Sequence, residues 1–144
     1  MQTFLPYPDF EQCAKVLDLK RLGKQIIECR QILKAITNPD YGWQNHPAVN
    51  MWREDEDALV TYANAMNDEW AERRGRCHGA YLNMCDDIGW CFCGMKCAPS
   101  WLSNPLLHSS HRANLLRKDP EWYGKFGWTE EPAEGYWWPT KELA

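Results

Sequence analysis

With 144 residues, 44% of them apolar and 25% charged, the chain has the size and balance of one globular domain, and two would be crowded. No apolar run reaches the ~18 residues of a membrane span, and the N-terminus lacks the basic, apolar and small-residue succession of a secretory signal, so a cytoplasmic protein with no membrane partner is expected. A net charge of −4 and a pI near 5.5 weigh against a uniformly nucleic-acid-binding surface, although the local field decides binding at a site.

Residues 1–8, MQTFLPYP, are apolar with two prolines and are expected to run extended and packed, holding the amino terminus in place. Methionine removal requires a small second residue and Gln2 is large, so Met1 is expected to stay with a free α-amine. An α-amine, with an ordinary pKa of about 7.7 to 8.0, is partly neutral at physiological pH and needs far less tuning than a lysine to act as a nucleophile.

Asp9 caps a short helical turn, FEQCAKVL, and Asp18 caps the longer helix DLKRLGKQIIECRQILKAI. Its apolar side runs Leu22, Ile26, Cys29, Leu33 and Ile36, while Arg21, Lys24, Gln25, Glu28 and Gln31 share the other side, flanked by Lys20, Arg30 and Lys34. From Lys15 to Lys34 six basic residues face two acids, a local charge of +4 in an acidic protein. A solvated helix face accounts for this in one reading. In the other, the face is a floor for a polyanion with Glu28 as the acid able to act on it, and Gly23, unfavourable in mid-helix by about 1 kcal/mol against alanine, leaves room for a close approach.

The loop NPDYGWQNHP leads to Pro47, which suits the first position of a second helix running to about Arg74. Trp52, Leu59, Ala63, Met66 and Trp70 form its apolar stripe, and seven acids between Glu54 and Glu72 its solvated face. Residues 75–100 read as an insertion holding five of the seven cysteines, Cys77, Cys85, Cys91, Cys93 and Cys97, with His78 beside the first. Structural zinc and free thiols are both open readings of that set, because its spacing contains no Cys-x-x-Cys pair. Cys13 and Cys29 fall in helical patterns as core residues.

Ser103-Asn104-Pro105 starts a third helix, LLHSSHRANLLRK, which is expected to turn Leu106, Leu107, Leu115 and Leu116 to the core and His108, His111, Arg112, Arg117 and Lys118 outward, a set suited to phosphate contact. The following PEWYGKFGW interleaves rings with glycine and Lys125 and either packs over the domain or stacks on bases. Tyr136-Trp137-Trp138-Pro139 reads as a structural closing strap. The fold class is therefore mainly α, a single domain (1–144) of three principal helices with irregular loops and an aromatic C-terminal tail.

Taken together, RLGKQIIE ending in Glu28, His46 at the opening of the second helix, HSSHRANLLRK and DPEWYGKFG resemble, in order and spacing over about residues 1–128, the phage-type pyrimidine-dimer DNA glycosylase/AP lyase (endonuclease V of phage) superfamily. The chain is still more similar to small bacterial relatives that begin like MQTFLPYPDF and carry a WLSNPLLHSSHRANLLRKDPEWYG-like segment. The resemblance implies a compact helical domain that bends duplex DNA and pushes a base out of the stack. It implies a catalytic carboxylate at Glu28, an N-terminal amine nucleophile at Met1, and a Trp-Tyr-Lys segment near the lesion at Trp122, Tyr123 and Lys125. Arg21 stands where the family has a histidine, Gln2 departs from the small second residue, and the cysteine-rich insertion has no counterpart.

The function expected on this resemblance is a DNA-repair glycosylase/AP lyase acting on damaged or modified pyrimidines through an imine and β-elimination, with no metal or cofactor required. Met1, Glu28, Arg21 and Lys24 are its catalytic set. Lys20, Gln25, Arg30, His46, His108, His111, Arg112, Arg117, Lys118, Trp122, Tyr123 and Lys125 are its DNA contacts, in a monomer bound to duplex DNA. The alternatives are a non-catalytic lesion-binding protein on the same scaffold, an enzyme that uses Lys24 as the imine-forming amine, and a zinc-bearing interaction module on residues 77–97.

Overall fold

The structure is a computed structural model that describes residues 1–88 and 98–139. Among the described residues the chain forms seven α-helices and no strand: α1 (Phe10–Val16), α2 (Leu19–Thr37), α3 (Pro47–Trp52), α4 (Glu56–Arg74), α5 (Gly79–Ile88), α6 (Pro105–Lys118) and α7 (Pro120–Tyr123). The mainly α single domain is as expected, but its core does not rest on three principal helices. No helix among the described residues is long and apolar enough to cross a membrane.

Local chemistry sets the helix starts. Asp9 accepts from the Glu11 and Gln12 amides at the start of α1, Asp18 from Arg21 at the start of α2, and Asn104 from Leu106 at the start of α6. His46 caps α3, its Nδ1 accepting from the Ala48 amide, with Pro47 in the first turn. The helix expected from Pro47 to Arg74 is broken into α3 and α4 by Arg53, Glu54 and Asp55, with Glu54 at φ 73°. Four consecutive acids begin at Glu54. In mid-helix they would repel one another, whereas in the first turn of α4 Glu56 and Asp57 meet the positive end of the helix dipole.

Helix α2 packs along α4, and α1 packs against the same helix. Leu22, Ile26, Cys29 and Leu33 of α2 are buried as the apolar stripe requires. Gly23 serves this packing: a Cβ there would lie 2.8 Å from Cζ3 of Trp70, so the missing side chain admits the indole rather than a polyanion. Phe10, Trp52, Tyr62 and Trp101 form a ring cluster at the centre, with centroid separations of 4.9 Å for Trp52 and Trp101 and 5.4 Å for Phe10 and Tyr62. Arg73 pairs with Glu69 and donates to the carbonyls of Ala14, Lys15 and Leu17, which closes the C-terminal end of α1.

Residues 2–6 run extended through the interior, as their prolines and apolar character imply, with no strand beside them. Side chains supply their hydrogen bonds. The Phe4 amide donates to Gln25 Oε1 (2.7 Å) and the Leu5 amide to His111 Nδ1 (2.8 Å). Tyr62 donates to the Phe4 carbonyl (2.7 Å), His108 Nδ1 lies 2.7 Å from the Leu5 carbonyl, and Arg112 donates to Pro6. Trp52 Nε1 donates to Thr3 Oγ1 (2.9 Å).

Residues 133–137 lie along α6: Ala133 N donates to the Ala113 carbonyl, Asn114 Nδ2 to the Gly135 carbonyl and Trp137 N to Ser110 Oγ. Gln25→Leu leaves the buried Phe4 amide without its acceptor, at a cost of about 1–3 kcal/mol. A denaturant melt should show the midpoint falling accordingly, with the slope unchanged.

Candidate active site

The first turns of α2 and the start of the chain enclose a cavity of about 360 Å³, lined by Met1, Gln2, Phe4, Lys20, Arg21, Lys24, Gln25, Glu28, Lys118 and Tyr136. All four members of the expected catalytic set, Met1, Arg21, Lys24 and Glu28, border it. Lys20, Arg21, Lys24 and Lys118 set four cations around one carboxylate, so the cavity favours an anion.

Glu28 is 6% exposed, and its Oε2 has no hydrogen-bond partner among the described residues. Burial raises its pKa, opposed by the Met1 amine and by Lys24, whose Nζ lies 3.9 Å from Oε1. Arg21, a member of the expected catalytic set, turns to Asp18 at 3.1 Å rather than to Glu28. Asp18 also accepts from the Tyr123 hydroxyl, and Tyr123 and Arg21 together hold its carboxyl below the usual range against the effect of its burial. Gln2 is buried too. Its Oε1 accepts from the Thr3 amide, and its Nε2 has no partner among the described residues. Burial, with Arg117 and Arg21 adding repulsion, pushes the Lys118 ammonium down.

His46 lies beyond the cavity lining but close enough to the N-terminus for the Met1 amine, after burial, to lower its pKa. The ring edge of Trp43 meets it at a centroid distance of 5.7 Å.

The expected DNA contacts divide. Gln25, His108 and His111 are buried and occupied by the N-terminal segment, and the His108 ring spans the Leu5 and Leu102 carbonyls. The outward histidine face expected on α6 is thereby corrected, because an unpaired extended segment needs those ring nitrogens. His111 is held neutral, its pKa lowered to about 3 by burial and by His108. Arg112 grips Glu130 with Nε and Nη2 at 2.9 and 3.0 Å, and Arg30 pairs with Asp87 of α5 at 2.8 Å. Arg117 reaches Asn114 and, at 3.9 Å, Glu134.

The tail rings are engaged within the protein as well. Tyr123 is fully buried, and Trp122 Nε1 donates to the Val16 carbonyl (2.7 Å) with Lys125 Nζ 3.5 Å above its ring. Lys20, Lys24 and Lys118 remain as cations at the cavity.

Of the cysteine-rich set, Cys77 is exposed, Cys85 is partly buried and His78 caps the start of α5 by accepting from the Ala80 amide. Cys91, Cys93 and Cys97 lie outside the described residues. Sequence reasoning missed Gln2, Phe4 and Tyr136 as cavity walls. Tyr136 belongs to a strap read as structural, and no local pattern carries it from the C-terminus to the amino end.

Residues 1–83, more than half of the chain, match the pyrimidine dimer DNA glycosylase family, and the chain belongs to it. No curated protein and no solved structure matches the chain. The matched stretch contains Met1, Lys20, Arg21, Lys24 and Glu28, whereas Lys118 and Tyr136 reach the cavity from beyond it.

Glu28 has a raised folded-state pKa, so the folded state binds more protons than the unfolded chain above the ordinary glutamate value, and the stability tied to Glu28 falls as pH rises through that window. Glu28→Gln should therefore melt higher than the parent at pH 7–8, with the gap closing near pH 4. Thermal melts across that range read the difference directly.

Proposed function

We propose that the protein is a DNA glycosylase with AP lyase activity on damaged or modified pyrimidines, using the Met1 α-amine as nucleophile and Glu28 as the carboxylate of the reaction. The observation that carries this reading is the convergence of the N-terminal amine, a buried carboxylate with an oxygen unpartnered among the described residues and four basic side chains on one cavity of about 360 Å³. Membership of the family supports the substrate class.

In this mechanism the neutral amine forms a bond to C1′ while the C1′–N bond to the base breaks, and the base leaves with the electron pair and takes up a proton. Opening of the sugar ring gives an imine. Glu28 stabilises the positive charge that develops at C1′ and then takes the C2′ proton, so that the 3′ phosphate leaves by β-elimination. Burial suits the carboxylate to this proton transfer by moving its pKa upward. Lys20, Lys24 and Lys118 hold the flanking phosphates, so affinity falls steeply with salt. No step requires a metal.

The second reading, a lesion binder without catalysis, draws on the pairing of Arg21 with Asp18, which leaves Glu28 without a close guanidinium. Borohydride trapping on duplexes carrying a cyclobutane dimer, an abasic site or no lesion separates the two. The expected result is a covalent adduct mapped to Met1 on a damaged duplex, and loss of strand cleavage by a hundredfold or more in Glu28→Gln with binding retained. An adduct on Lys24 or Lys118 would move the nucleophile. Binding without any adduct would leave the binder.

A further inference from the structure

We propose that a row of rings running from Trp43 through His46 and Trp138 to Tyr136 is a stacking platform for unpaired bases that flank the nucleotide in the cavity, an inference that rests on the DNA-acting reading above. The row is continuous: ring centroids are 5.7 Å apart for Trp43 and His46, 6.3 Å for His46 and Trp138, and 6.0 Å for Trp138 and Tyr136. Its inner end is a wall of the cavity that holds Met1 and Glu28. Its outer end is open, with Trp43 56% exposed.

Trp43 is held in place at a cost to its backbone. Its φ of 68° lies in the left-handed region, which disfavours a bulky residue. The loop around it is fixed by Gln44, whose Nε2 donates to the carbonyls of Ala35 (2.7 Å), Asn38 (2.9 Å) and Tyr41 (2.9 Å). More than half of Trp43 is exposed on a tied-down loop, so packing against His46 alone does not account for its position. Its contact with His46 is edge-on, at 77°, rather than a flat stack that a base would have to displace.

The charge at the inner end of the row, beside Tyr136, selects the occupant. Lys20, Lys24 and Lys118 stand at the cavity, so a strand whose phosphates meet these cations brings its bases toward the rings, the pairing of groove and aromatic faces by which unpaired strands are held. The tail segment expected to stack on bases does not offer this, since Tyr123 is buried and Trp122 carries Lys125 on its ring.

The test uses the full chain and a duplex with a non-cleavable tetrahydrofuran abasic analogue flanked by 2-aminopurine. Trp43→Gly removes the ring while suiting the left-handed backbone, so the variant should fold at least as stably as the parent. It is expected to bind the abasic duplex about five- to a hundredfold more weakly, with undamaged duplex little affected, and to lose quenching of the flanking 2-aminopurine. Trp43→Phe should restore most of both. Unchanged affinity and quenching in folded Trp43→Gly would overturn the platform, even with the Met1 adduct forming normally. Loss of both in Trp43→Gly, with a parent protein that binds but forms no adduct, would sustain the platform and remove the lyase. Failure of the parent to bind the abasic duplex at all would overturn both.

Discussion

An extended segment with no strand beside it must still find a partner for each buried amide and carbonyl, and here four helices lend side chains to one. Gln25 of α2, Trp52 of α3, Tyr62 of α4 and His108, His111 and Arg112 of α6 converge on residues 3–6. This arrangement fixes the path of the chain just after its first residue, and so fixes where the Met1 amine emerges. Polar groups that look like a surface on a helical wheel become the core's internal fittings. Every such contact is long-range in sequence, so the amino terminus is placed only when the whole helical assembly is formed.

The electrostatics of the cavity follow from that placement. Glu28 is buried by the same segment that brings the amine near it, and the two effects oppose one another: loss of water favours the acid form, while the amine and Lys24 favour the carboxylate. A carboxylate under such balance changes charge readily when its cationic partner changes. On the reaction proposed above, an ammonium at the N-terminus that became a neutral amine and then a cationic imine would alter the field at Glu28 at each stage, the coupling such a reaction needs between nucleophile and base.

Much of the scaffold is legible in the sequence because it is written locally. Asp9, Asp18, Pro47 and Asn104 or its neighbours mark helix starts, and the stripe from Leu22 to Leu33 marks a buried face. The packing and extension of MQTFLPYP are equally legible from its prolines. What does not read locally is the fate of polar residues. Nothing within α6 distinguishes His108 and His111, which bridge to Leu5, from Lys118, which faces the cavity, because the difference lies in a segment about a hundred residues away. Gly23 shows the same limit: its spacing says only that something comes close, and the something is Trp70. The break at Glu54 was present in the run of acids but was outweighed by a hydrophobic period that continues across it.

The cavity is assembled from both ends of the chain, and this bears on how the family's chemistry is carried. The amine, the carboxylate and three of the cations lie within the matched residues 1–83, but the wall opposite α2 is Lys118 at the end of α6 and Tyr136 of the strap. A reaction centred on an amine and a carboxylate needs only the first set. The second set gives the cavity a different character, since Lys118 supplies a cation weakened by burial and by its neighbours, and Tyr136 supplies a ring rather than a charge. Reactive groups and selective walls are thus held by different parts of the sequence, joined through the hydrogen bonds of residues 3–6 to α6. Substitutions in the strap can reshape the cavity wall while leaving the placement of amine and carboxylate as the helical core sets it.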